Sequence, residues 1–211
     1  MKTNELISML AEDAPVRLRL GRRLAFALIG GIVVAAVLLL ATIGMRPDLA
    51  SAIETARVQS KFIVTLALAI AACGLVFRIG RPGISLKPWV CALSAAPLLL
   101  AAAVSTELAV LPETSWHAAM MGRYARFCVF FIPLLALGPL TFFLLALRQG
   151  APESPGIAGA VAGLAAGSIA ASIYASHCPD DSPLFVAVWY TTAIVIVTVA
   201  GGLIGSRLLR W

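Results

Sequence analysis

Six runs of the chain are apolar almost without interruption, at about 24–45, 62–77, 89–106, 127–147, 156–176 and 184–206. Each is close to the ~20 residues a helix needs to cross the hydrocarbon core, within a range of ~17–25. None alternates with period two, so the pattern predicts helices and not the strands of a barrel. The second run is the shortest, and Lys61 and Arg78 at its ends are predicted to snorkel to the interfaces. The first run is too long for a signal-peptide core and follows a 23-residue polar head, so no cleavable leader is expected. The connections at 46–61, 78–88, 107–126, 148–155 and 177–183 are too short to form domains.

Composition agrees. Of 211 residues, 61% are hydrophobic and 12% charged, with a mean hydropathy of +0.97. A soluble protein of 22.0 kDa cannot hide that much apolar surface. A soluble enzyme, a disordered regulator and a disulfide-stapled miniprotein are therefore excluded. Six spans put both termini on one side, and that side collects 11 cations and 4 acids, against 5 and 6 on the other. The net charge of +6 thus divides into +7 and −1. Lys and Arg accumulate in cytoplasmic loops, so both termini are expected in the cytoplasm, whereas five spans would separate them. The charge reports orientation, and no direct nucleic-acid contact is expected. The predicted fold is all-α: a polytopic six-helix transmembrane bundle, residues 24–211, preceded by a short cytoplasmic amphipathic helix in residues 1–23.

Within that head, Thr3 can cap a short helix, Leu6, Met9, Leu10 and Ala14 recur at helical spacing, and Pro15 ends it. Glu5, Glu12 and Asp13 take the polar side, and Arg17, Arg19, Arg22 and Arg23 follow. Two readings fit equally. A cytosolic partner grips the helix through Leu6, Ile7, Met9, Leu10 and Asp13, or the helix lies on the membrane with its arginines on anionic lipid.

Chemistry-bearing residues are few. Gly159, Gly163 and Gly167 form a four-residue ladder in the fifth run, and Gly201 and Gly205 repeat it in the sixth. Small residues at this spacing let helices approach closely, inside one bundle or across a homodimer. Pro97, Pro133 and Pro139 interrupt the third and fourth runs; broken helices can line transporter sites, but prolines in membrane helices usually only kink them. The six runs hold no Asp, Glu, Lys, Arg or His, which argues against an ion or proton translocator, because such residues mark translocation pathways. There is no H-E-x-x-H, no G-x-S-x-G and no C-x-x-C, and Asp180–Asp181 stands without basic partners for a nucleotide. No enzyme is expected. Cys73 and Cys91 read as packing residues. Cys128, at the end of the fourth run, and Cys178, between the fifth and sixth, fall on the same outer face. A disulfide, a soft-metal site with His177, or two unrelated thiols all fit. His177, Asp180 and Asp181 are the neighbours that would assist either chemistry. No cofactor is assigned beyond a transient soft-metal ion at the pair.

The run Cys128-Val-Phe-Phe-Ile-Pro-Leu-Leu-Ala-Leu-Gly-Pro-Leu140, then Leu147-Arg-Gln-Gly-Ala-Pro152, the Gly/Ala-rich fifth run, and His177-Cys-Pro-Asp-Asp-Ser-Pro-Leu-Phe-Val-Ala-Val-Trp-Tyr190 resemble the NrsF family. So do Met1-Lys-Thr-Asn-Glu-Leu-Ile7 with Asp13-Ala-Pro-Val16, and Arg207-Leu-Leu-Arg-Trp211. The resemblance covers nearly the whole chain and is weakest across 46–126. Gly138 departs from it, standing where the family often has a second proline before Pro139. The resemblance implies a six-helix anti-sigma factor of the bacterial inner membrane. It implies that the head holds an extracytoplasmic-function sigma factor, and that Cys128 and Cys178 take part in sensing the stress that releases it. Two rivals stand beside it: a small transporter, or a structural subunit that docks another cytosolic partner through the same head. Homo-oligomers fit any of the three.

Overall fold

The computed structural model describes residues 20–81 and 83–210. The predicted head helix, with Leu6, Ile7, Met9, Leu10 and Asp13, lies outside them. The described elements, in chain order, are α1 (Leu20–Thr42), α2 (Leu49–Ala52), α3 (Ala56–Ile79), α4 (Lys87–Leu93), α5 (Ala95–Val110), α6 (Glu113–Met121), α7 (Ala125–Leu147), α8 (Pro155–Tyr174), α9 (Pro183–Phe185), a π-turn at Val186–Tyr190, and α10 (Thr191–Leu208). Six helical stretches are long and apolar enough to cross a membrane: α1, α3, α4 with α5, α6 with α7, α8, and α9 through α10. Phe26 (63% exposed), Leu98 (67%) and Leu203 (66%) stand on the outside of the bundle. An apolar belt of that kind is stable against lipid and not against water.

Proline chemistry separates the two interrupted spans. The third span breaks at Ser94, four residues before Leu98 and three before Pro97. A proline ring clashes with the carbonyl four residues back, which here belongs to Leu93, the last residue of α4. Ser94 closes the break by donating from Oγ to the Cys91 carbonyl at 2.6 Å. The fourth span is not broken: Pro133 and Pro139 both sit inside the continuous helix α7. Neighbouring helices compensate for such prolines in a membrane. Here α1 lies against the site, and a Cβ at Gly31 would fall 2.8 Å from Pro139 Cα. Gly138 serves the same contact, since a Cβ there would meet Val34 Cγ1 at 2.8 Å. The departure from Pro-Pro therefore gives α1 its close seat on α7.

α8 is the hub, packed by α10, α7, α3 and α1. Its Ala158, Ala162, Ala165, Ala166, Ala170 and Ala171 are all buried. The glycine ladder is used within the chain. A Cβ on Gly163 would lie 2.5 Å from the Val197 carbonyl oxygen, and one on Gly205 would lie 2.5 Å from Gly159 Cα. Gly159 and Gly201 oppose one another directly. The seam loosens at Gly167, where the nearest atoms are 3.4 Å from an added Cβ. The third span is peripheral, with Ala96 and Glu107 as its buried residues.

The seam makes a graded prediction. Gly163→Ala should destabilise by about 1–3 kcal/mol, the usual cost of overpacking, and Gly167→Ala should be close to neutral. Thermal unfolding of the two variants in one detergent checks this; equal midpoints would show that the seam is not close-packed.

Candidate functional site: a latched two-thiol loop

Three connections meet at one end of the bundle: 43–55, 111–124 and 175–182. The last carries Cys178. Helix α8 ends at Tyr174, and the chain turns through Ser176, His177 and Cys178 by backbone bonds to Ile173 and Tyr174 carbonyls. This turn buries Cys178 completely against Cys128, which lies one turn inside α7. The two sulfurs are 3.8 Å apart, with one thiol donating to the other. Cys178 Sγ is also 3.9 Å from the Asp180 carbonyl oxygen. Cys73 and Cys91 lie elsewhere, partly exposed and exposed.

The loop is held by charge. Lys61 Nζ donates to Asp181 Oδ1 at 2.6 Å, to the Cys178 carbonyl at 2.8 Å and to the Asp180 carbonyl at 3.3 Å. It also sits 5.8 Å from the centre of the Tyr190 ring, a cation–π distance. The expectation that Lys61 snorkels is overturned: its residue is 1% exposed. The reason is that α3 begins at Ala56, so Lys61 is already inside the helix, and Asp181 offers it a closer partner than the interface. Arg46 takes the other oxygen of Asp181 at 2.7 Å and chelates Asp48 with bonds of 2.7 and 2.8 Å. The Asp48 carboxyl is lowered to about 2 by the Arg46 guanidinium, which is itself raised by both acids. Arg57 pairs with the buried Glu107 at 3.0 Å, and Ser182 donates to Glu107 at 3.3 Å. Among the described residues the buried ionisable side chains of the bundle, Lys61 and Glu107, are thus both paired, and both lie at this end.

Asp180 has a different task. Its Oδ2 accepts the Arg123 and Tyr124 amides at 2.8 and 2.7 Å, just ahead of the helix that carries Cys128. The positive end of that helix favours a carboxylate there. Gly122 makes room: its φ is +55°, and a Cβ would strike Phe185 at 2.5 Å and Asp180 Oδ2 at 2.7 Å. His177 makes its hydrogen bond elsewhere than at the thiols. Its Nδ1 faces the Gly44 carbonyl at 2.9 Å, and the neighbouring Ser176 carbonyl accepts the Arg46 amide at 3.1 Å. Among the described residues no three His, Cys, Asp or Glu side chains converge as a metal cage. The set of Cys128, Cys178 and His177 does not assemble in this structure.

Two aromatic hydroxyls complete the surroundings. Tyr174 and Tyr190 are buried, and among the described residues neither hydroxyl has a hydrogen-bond partner. Their rings lie 6.1 Å apart, with Tyr174 next to Cys128 and Tyr190 next to Cys178. The π-turn at Val186–Tyr190 inserts a wider helical turn just before Tyr190, a feature frequent at functional sites. The Cys178 thiol is held below its ordinary range, first by the hydrogen bond with Cys128 and also by the Lys61 charge, against the opposing effect of burial.

Sequence reasoning brought the two cysteines to one face and missed Lys61, Arg46, Glu107 and both tyrosines. One signal was available: Arg57 and Lys61 are four residues apart, hence on one helix face, at the mouth of an apolar run.

The fold and the site together define a six-span helical membrane protein with a buried thiol pair beneath an ion-paired loop. The model of the family described as negative regulator of sigma F, NrsF, matches residues 10–211. The chain belongs to the NrsF family. It is 34% identical over 223 aligned positions to the anti-sigma-F factor NrsF of Caulobacter vibrioides, covering all of both chains. It is 31% identical over 217 positions to the probable anti-sigma-F factor NrsF of Azospira oryzae, again over the whole of both. No solved structure matches it. The family description is that of a regulator and not of a catalyst.

The sulfur gap has a direct consequence. A disulfide needs ~2.05 Å between sulfurs, so mild copper-catalysed oxidation of the detergent-solubilised protein should join Cys128 to Cys178 within one chain. Peptide mapping should then find Cys73 and Cys91 still open to a maleimide. Cross-linked multimers in place of the internal bridge would contradict the geometry.

Proposed function

We propose that this protein is an anti-sigma factor of the bacterial inner membrane. In this reading both termini are cytoplasmic, the head formed by residues 1–23 holds an extracytoplasmic-function sigma factor, and the two-thiol end faces the periplasm. The observation that carries the reading is the family match across residues 10–211, with relatives named anti-sigma-F factors over their full length. The division of charge supports the orientation: Arg22, Arg23, Arg78, Arg81, Lys87, Arg148, Arg207 and Arg210 lie on the side of the termini.

Release requires two states that differ in affinity for the partner, because a signal shifts an equilibrium only by its differential effect on the states. Oxidation of Cys128 and Cys178 offers such a difference. Closing 3.8 Å to a disulfide draws the 175–182 loop toward α7 by about 1.7 Å. That loop joins α8 to the sixth span, and α8 packs on α1, α3, α7 and α10. The displacement weakens the grip of the head. An oxidising periplasm makes the thiols a suitable sensor.

Affinity purification of the full chain from its own membranes should recover a sigma factor, and removal of residues 1–19 should abolish recovery. Treatment with peroxide should release the partner from the parent protein and not from Cys128→Ser, Cys178→Ser. Recovery without any sigma factor would overturn the assignment. Normal release from the double variant would overturn the thiol mechanism alone.

A further inference from the structure

The two sulfurs are not equivalent, and the reason lies on α3. Cys128 faces its partner sulfur from inside a helix. Cys178 lies on a loop whose carbonyl is bonded at 2.8 Å to a buried ammonium. We propose that Cys178 is the thiol that reacts first, that Cys128 resolves it, and that Lys61 is the positioning residue that keeps Cys178 in its reactive form. This rests on the reading of the thiol pair as the sensor, and it adds which sulfur attacks and what activates it.

The groups around Cys178 sort by charge. From α3 comes Lys61. From α7 comes Cys128, and from α8 Tyr174, both uncharged as thiol and phenol. The π-turn brings Tyr190, also uncharged. The loop itself supplies His177, Asp180 and Asp181. His177 is directed to the Gly44 carbonyl. The Asp180 carboxylate is directed to the Arg123 and Tyr124 amides. The Asp181 carboxylate is shared between Lys61 and Arg46, and Arg46 also holds Asp48. The cation nearest the sulfur is therefore Lys61, and its longest bond, 3.3 Å to the Asp180 carbonyl, goes to the same oxygen that lies 3.9 Å from Cys178 Sγ. An ammonium there stabilises a thiolate more than a thiol, and the Cys128 S–H can donate to it across 3.8 Å.

With a peroxide as oxidant the step balances. The Cys178 thiolate attacks one peroxide oxygen, the O–O bond breaks, hydroxide leaves, and Cys178 becomes a sulfenic acid. Cys128 sulfur then attacks Cys178 sulfur, the S–O bond breaks, and the Cys128 proton departs with the hydroxyl as water. The proton lost when Cys178 ionised neutralises the first hydroxide. The peroxide is reduced to two waters and the two thiols are oxidised to one disulfide.

The test is the pH dependence of iodoacetamide labelling of the full chain in detergent, mapped to each cysteine by mass spectrometry. The midpoint of the profile reads ionisation, whereas its plateau reads access. In the parent protein Cys178 should be labelled before Cys128. Lys61→Met should raise the Cys178 midpoint by about one pH unit or more, a roughly tenfold loss of thiolate near neutrality. Lys61→Arg should restore most of it. Asp181→Asn leaves the Lys61 charge uncompensated, so the midpoint should fall. A purely structural ion pair gives the opposite pattern, since both substitutions break the same contact and would shift Cys178 in the same direction. That result, an unchanged midpoint in Lys61→Met, or first labelling of Cys128 would each overturn the proposal. If Lys61→Met does not fold, the order of labelling and the Asp181→Asn shift decide. None of these readouts involves a sigma factor, so the inference and the functional assignment fail separately.

Discussion

A buried ammonium governs the polar end of this protein. Lys61 sits inside an apolar helix with its side chain sealed from solvent, and a charge in that position must find partners or pay several kcal/mol. All three of its partners come from the 178–181 segment, 117 to 120 residues away in the chain. Removing one side of a buried pair typically costs about 3–5 kcal/mol, so this contact dictates where the loop goes. The rest of that end follows. Asp181 has a second oxygen, which draws in Arg46 and with it the 43–48 connection. Asp180, displaced to the other side of the loop, caps the approach to α7. The lysine bonds thus hold the loop in the position where the Cys178 and Cys128 thiols meet.

The apolar part of the molecule is set by a different force. Lipid gives no hydrophobic incentive for helices to associate, so close van der Waals packing must do it. The seam between α8 and α10 achieves this by removing side chains: Gly159, Gly163, Gly201 and Gly205 bring backbone against backbone. Both walls of that seam are anchored to the 175–182 loop, one before it and one after. The thiol loop is thus a short strap between two helices that cannot easily separate, and movement of the strap has to be expressed as sliding or rotation of the pair.

The six spans and the facing cysteines were legible because both depend on local features: length, hydropathy and the parity of crossings. Ends of spans were less so. α3 starts at Ala56, six residues before the apolar run at 62, because Arg57 and Lys61 are satisfied by Glu107 and Asp181, and a hydropathy scale counts every cation as a wetted one. Pro97 broke its span and Pro133 and Pro139 did not, a difference decided by neighbours such as Gly31, which sequence order does not reveal. His177 looked like a third ligand by adjacency to Cys178. Its ring instead answers the Gly44 carbonyl exposed where α1 ends in a left-handed turn, with φ +68°. Each miss is a contact between residues far apart in the chain.

The two ends of the bundle also differ in how they treat charge, and this difference bears on direction. Among the described residues, every ion pair lies at the thiol end, joining Arg46, Arg57 and Lys61 to Asp48, Asp181 and Glu107. At the opposite end Arg78 stacks 5.2 Å from the Trp89 ring, and no described cation forms an ion pair with a described acid. One end is internally neutralised and held in a single arrangement by short bonds. The other carries Arg22, Arg23, Arg78, Arg81, Lys87, Arg148, Arg207 and Arg210 against Glu153 among the described residues, and clustered cations at a membrane face attract phosphate headgroups. In the reading proposed above, the braced end is the one where a disulfide would close, and its short bonds are what that covalent change would have to work against. Helices α1, α3, α7 and α10 are gathered around α8, so the same packed core stands between the ion-paired end and the end rich in unneutralised arginines.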